Sequence, residues 1–124
     1  MAGMSAMSGP VTVTITSPSD GDTIHGSTVN ISLGASGIEL APAAENRPGT
    51  AHHHLYLDTD LSTPDQPIPA GTPGIIHLGQ AQTSYEWDSV PPGNHRIIAV
   101  LANSAHVPLT PLVADTVNIV VVKQ

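Results

Sequence analysis

The apolar residues of this chain never form a long run: Gly occurs 11 times and Pro 12 times in 124 residues, and between these breakers the Val, Ile, Leu and Ala residues fall into short segments. Segments of that kind build strands and argue against a helical core. The first one shows the pattern plainly. In "VTVTITS", Val11, Val13 and Ile15 alternate with Thr12, Thr14 and Thr16, which sets an apolar face against a hydroxyl face at the two-residue period of a half-buried strand.

Six further main strands, and one short edge strand beside them, follow from the same reading. "PSDGDT" is a cluster of turn formers, after which Val29, Ile31 and Leu33 alternate in "TVNISLG". The connection from Gly34 to Gly49 contains "GIELAPA", a short edge strand, and leads into "HHHLYLD" from His52. The prolines of "TDLSTPDQPIPAGTPG" exclude a helix and predict an extended surface loop. "IIHLG" and "AQTSYEWDSV" read as two short strands about the turn "GQAQ". After "PPGN", the strand "HRIIAVLA" is apolar on both faces and therefore belongs in a buried, central position, and "VADTVNIVVV" closes the domain. Seven short strands with turns between them predict an all-β fold, an immunoglobulin-like antiparallel two-sheet sandwich without the Cys–Trp–Cys hallmark. The expected layout is an N-terminal extended segment at residues 1–10 and one sandwich domain at 11–124.

Charge narrows the partners. Ten carboxylates against Arg47, Arg96 and Lys123 give a net charge of −7, which repels phosphate backbones and anionic lipid, so no nucleic-acid partner is expected. No Cys is present, so thiolate metal sites and disulfides do not arise. No run approaches the roughly 18 apolar residues of a membrane span, so membrane insertion is not expected either. "MAGMSAMSGP" has no basic start and no continuous apolar stretch, and as it stands does not read as a signal peptide.

The chemistry-bearing residues are histidines. If successive strands run in opposite directions, one end of the sandwich receives His52, His53 and His54 at the start of the third main strand, His77 at the end of the fourth, and His106 from the last long loop. The opposite end receives His25 and His95. Residues two apart on a strand share a face at roughly 6.5–7 Å, so His52 and His54 can turn to one ion while His53 faces away with Leu55 and Leu57. Imidazoles with neither thiolate nor carboxylate beside them suit copper first and zinc second. The predicted metal ligands are His52, His53, His54, His77 and His106. For His25 the plainer reading, a surface or packing residue, has the greater weight, and for His95 the two readings balance. Met1, Met4 and Met7 present a soft thioether spacing that favours Cu(I), set against the plainer reading of an initiator and chance.

Catalytic signals are thin. There is no Gly-x-Ser-x-Gly elbow, no phosphate-binding glycine loop and no His-Glu-x-x-His helix. Glu86 and Asp88 flank Trp87 as acids on an outer strand face, and Asp58 with Asp60 lack an ordered oxygen set for Ca²⁺. The expectation is a protein without catalytic activity.

Three stretches, "APAAENRPGTAHHHLYLDTD", "IPAGTPGIIHLGQAQT" and "PPGNHRIIAVLANSAHVPLTPLV", resemble a family of small exported bacterial proteins known as domain of unknown function 4399. The likeness spans Gly37 to Val121 and carries His52, His53, His54, His77, Gln82, His95, His106 and Pro108 onto the family's motif. It departs where Ile75 and Leu109 stand in place of histidines and Ala51 in place of glycine, which leaves a leaner site than a multi-metal one. The resemblance implies an extracellular or periplasmic location and metal binding. Two functions are expected: from the imidazole set, a copper-binding sandwich; or, from a short, weakly charged, β-rich chain with histidines at both poles, a filament subunit stacked head to tail as a homopolymer, with the N-terminal segment docked on a neighbour and metal possible at the contact.

Overall fold

A computed structural model describes residues 10–123, and all structural statements below concern these. Its strands are β1 (Thr12–Ser17), β2 (Thr23–His25), β3 (Val29–Ser36), β4 (Glu39–Leu40), β5 (Thr50–Leu57), β6 (Ile75–Leu78), β7 (Ser84–Trp87), β8 (Gly93–Ala102) and β9 (Ala114–Val122), with one 3₁₀ turn at Ala43–Glu45. The expected expectation of an N-terminal extended segment at 1–10, and of its docking on a neighbour, falls almost wholly outside the described residues, as does the Met1, Met4 and Met7 spacing.

Two sheets form. The smaller has the order β1-β3-β7, the larger β2-β9-β8-β5-β4, with β6 paired to β5. This is the immunoglobulin-like sandwich that the alternation predicted. The seven expected strands are β1, β3, β5, β6, β7, β8 and β9, and the "GIEL" edge strand is β4. β2 has no counterpart in the sequence reading. It pairs in parallel with β9 through Thr23↔Val120 to His25↔Val122, so the chain changes sheets between β1 and β2. With one half-buried apolar residue, Ile24, this segment shows no alternation that would mark a strand.

The core between the sheets is aliphatic. Val13, Ile15, Val29, Ile31 and Leu33 of the smaller sheet are buried in one cluster with Leu55, Ile97, Ala99, Leu101, Val117, Ile119 and Val121 of the larger. Each fully buried Val, Leu or Ile stabilises the fold by about 1.5–3 kcal/mol relative to exposure. β8 lies between β5 and β9 and turns its other face, Ile98, Val100 and Ala102, away from that core. A second buried cluster covers this outer face, where those three residues meet Tyr56, Ile75 and Ile68.

Ile68 belongs to the connection between β5 and β6, residues 58–74, which crosses the outer face as a strap. At this length an irregular connection must be tied down if it is to be ordered. Asp58 does so at one end, accepting from the Arg96 backbone N–H (2.8 Å) and from the His95 ring (2.5 Å). Ser62 shares a hydrogen bond with buried Tyr56 (2.8 Å). At the other end Leu57 N–H donates to the Gly74 carbonyl (2.8 Å).

Candidate metal centre

Strand alternation decides which histidines meet. On β5, His52, His54 and Tyr56 point to the outer face, and Ala51, His53 and Leu55 point into the core between the sheets. β6 runs antiparallel to β5 with His54 opposite His77, while β8 places Ala102 opposite His52 and Val100 opposite His54. From the end of β8 the turn 103–107 folds back so that Ala102 bridges Pro108, and this returns His106 over the outer face.

That turn is built by Asn103. Its side-chain oxygen accepts from the N–H groups of Ala105 (2.9 Å) and Val107 (3.1 Å), and its carbonyl accepts from His106 N–H (2.8 Å). Asparagine favours turns because its short amide substitutes for backbone partners in this way. His106 sits at φ +64°, in the left-handed region, which costs a non-glycine residue roughly 1–2 kcal/mol. Such strain persists where the surroundings enforce it and is concentrated at functional sites.

The result is a knot of ring nitrogens. His106 Nδ1 lies 3.1 Å from His52 Nε2, 3.3 Å from His54 Nε2 and 3.2 Å from His77 Nδ1. His52, His54 and His106 each bring one ligand atom within 4.8 Å of the others, and His77 joins this group through His106 and its ring contact with His54. His52 and His54 are fully buried, whereas His77 and His106 are half-buried at the rim. Imidazole nitrogens about 2.0–2.1 Å from a tetrahedral metal would be separated by about 3.3–3.4 Å, and the three separations from His106 Nδ1, 3.1–3.3 Å, lie within a few tenths of an ångström of that.

The electrostatics agree. Burial, reinforced by the charges the neighbouring rings would carry, pushes the His52 imidazole down to about 4 and that of His54 down to about 2. Burial and His77 also lower His106. Histidines so placed are neutral at neutral pH and present lone pairs, the form a metal requires.

The remaining candidates stand elsewhere. His53 lies on the inner face of β5, fully buried, with neither ring nitrogen hydrogen-bonded, and burial holds it down at about 4. It is the one member of the predicted ligand set that does not face the others, a direct consequence of the two-residue period. The cluster lies at the expected end, where β5 begins and β6 and β8 finish, and it sits there on the outer face of the larger sheet. His25 is exposed at the end of β2. His95 donates from Nδ1 to Asp58 and from Nε2 to the Pro91 carbonyl (2.6 Å), and two acceptors on one ring require the imidazolium. Burial opposes that charge, but these bonds outweigh it and raise His95. Asp58 and Asp60 are engaged with His95 and Arg96, and Glu86 and Asp88 are exposed.

Sequence reading missed the strap's part. Ile68 N–H donates to the His106 carbonyl (2.7 Å), and His77 Nε2–H donates to the Pro69 carbonyl (2.9 Å). The unusual length of this Pro-rich connection was the one available signal.

Among solved structures, the fibronectin(III)-like modules of Clostridium thermocellum CbhA align with a TM-score of 0.55 at 20% identity, covering 90% of this chain and 96% of theirs. A CARDB domain from Pyrococcus furiosus, solved in complex with di-metal ions, aligns with a TM-score of 0.51 at 16% identity, covering 93% and 94%. At these identities the likeness establishes the sandwich fold. No curated protein matches the chain. The family described as domain of unknown function DUF4399 matches residues 31–122, most of the sandwich and all four clustered histidines, and the chain belongs to that family.

Proposed function

We propose that this protein is a metal-binding β-sandwich that works outside the cytoplasm, has no catalytic activity of its own, and holds copper through His52, His54 and His106 with His77 as the fourth ligand. The observation that carries this reading is the crowding at His106 Nδ1, which has three other ring nitrogens at 3.1–3.3 Å. One nitrogen bears either one proton or one lone pair directed into the cluster, so it can make one good hydrogen bond there and not three. A cation shared by the four lone pairs removes the conflict.

An all-imidazole donor set of neutral nitrogens ranks copper above zinc, since affinity at such sites peaks at Cu²⁺ and there is no thiolate or carboxylate in the cluster to shift the preference. The half-buried rings of His77 and His106 give an ion a route in from solvent, and the fully buried pair on β5 provides a rigid base. Location outside the cytoplasm rests on the family resemblance.

The test is metal content after loading with copper or zinc and exhaustive dialysis. The wild-type chain should retain close to one equivalent, and the double variant His54→Ala with His106→Ala should retain little. Full retention by that variant, measured on protein with an unchanged far-ultraviolet spectrum, would remove the proposal.

A further inference from the structure

Resting on the metal-binding reading, we propose that the Ile68–Pro69 step of the strap is the positioning element of the centre: it selects Nδ1 of His77 and His106 as ligand atoms, beside Nε2 of His52 and His54, and couples metal capture to strap closure.

The His77 ring is fixed from both sides. A carbonyl only accepts, so the bond of 2.9 Å to Pro69 requires a proton on His77 Nε2. In the neutral ring the lone pair is then on Nδ1, and Nδ1 is the atom that lies 3.2 Å from His106 Nδ1. A half-turn of the ring about Cβ–Cγ would place carbons at both positions and lose both contacts. A ligating histidine whose other nitrogen is tied to a carbonyl has its tautomer and orientation set in advance.

His106 is held through its backbone. The Ile68 N–H bond to the His106 carbonyl (2.7 Å), together with the Asn103 turn, keeps the residue at φ +64°. From that conformation Nδ1 faces the other three rings. Ile68 itself is 3% exposed and packs with Tyr56, Ile75, Ile98, Val100 and Ala102, so this step of the strap is anchored in the outer cluster.

The β5 pair is held differently. Nδ1 of His52 and of His54 has no hydrogen-bond partner among the described residues, and these rings are placed by the sheet and its packing. The centre therefore has two halves: one set by a rigid strand, the other by two backbone groups of a strap. An ion bridging the halves pulls the strap down, and an open strap releases two of four ligands.

Long-range proton–nitrogen correlation spectra of the protein labelled at histidine nitrogens, with and without Zn²⁺ alone, read the bound atom directly. Zinc should shift Nε2 of His52 and His54 and Nδ1 of His77 and His106. Zinc bound through Nε2 of His77 or His106 overturns the strap proposal while leaving the metal site standing; no zinc-dependent change in any of the four overturns both. In parallel, Ile68→Ala should weaken zinc binding about 10–100-fold, the range expected for loss of outer support, and Ile68→Val should restore most of it. Undiminished affinity in the alanine variant would also overturn the strap proposal.

Discussion

His53 carries a larger cost than its two neighbours in the triplet, each of which leaves only Nδ1 without a partner. Both of its ring nitrogens are buried without a partner, and one of them bears a proton. An unsatisfied buried polar group costs about 1–3 kcal/mol, so His53→Leu, similar in size and wholly apolar, should raise the stability of the metal-free protein by about that amount in urea unfolding. Metal content should be unchanged, because the residue faces the core between the sheets. A drop in bound metal, or a loss of stability, would show that His53 has a role the inner-face geometry does not explain. The contrast was partly legible in the sequence. The two-residue period separates His53 from His52 and His54 without any coordinates, whereas its lack of any partner depends on the aliphatic residues brought against it by the other sheet.

At the scale of elements, the strap depends on how its ends are fastened. Gly74 closes it at φ +85°, where an added Cβ would lie 2.4 Å from Thr59 Oγ1 and 3.0 Å from the Leu57 carbonyl oxygen. The threonine can rotate but the carbonyl belongs to β5, so Gly74→Ala should cost about 1–3 kcal/mol and weaken metal binding by displacing the step that holds His77 and His106. Calorimetry and metal titration of one variant check both effects, and an alanine chain as stable and as tight as the wild type contradicts them. The other fastening, His95⁺ on Asp58, titrates in the opposite sense to the cluster. Its folded-state value is raised, so its contribution is complete below the ordinary histidine value near 6.5 and is lost as pH climbs through the raised one. His95→Gln should flatten that alkaline loss in a pH series of unfolding midpoints, and a loss that persists unchanged assigns it to another group. The strands and the two-apart pair on β5 were legible in the sequence because periodicity is local. β2, the Asn103 turn and the Pro69 carbonyl were not, since backbone groups leave no trace in side-chain pattern and parallel pairing with β9 links distant segments.

For the whole molecule, protons and metal compete for the same nitrogens, which fixes how stability responds to pH. The folded-state values of His52 and His54 are depressed to about 4 and about 2, while in the unfolded chain they return to about 6.5. Below about 6.5 the unfolded state therefore binds protons that the folded state refuses. Their contribution is complete above that value and is lost as pH falls toward 4 and below. The metal-free protein should accordingly lose stability on acidification, with unfolding midpoints declining from about pH 6.5 downward. Bound metal adds RT ln(1 + [L]/Kd), about 2.7 kcal/mol at a free concentration of 100 Kd, as long as the ligands are neutral. In acid, protons compete with the ion for the nitrogens of His52, His54 and His106, and the metal contribution falls away. Thermal unfolding with and without zinc, from pH 7.5 to pH 4, should thus give two curves well separated at the neutral end that converge at the acid end. Curves that stay parallel throughout would place the stabilising ion on carboxylates, which remain charged over most of that range, and not on the imidazoles of the outer face.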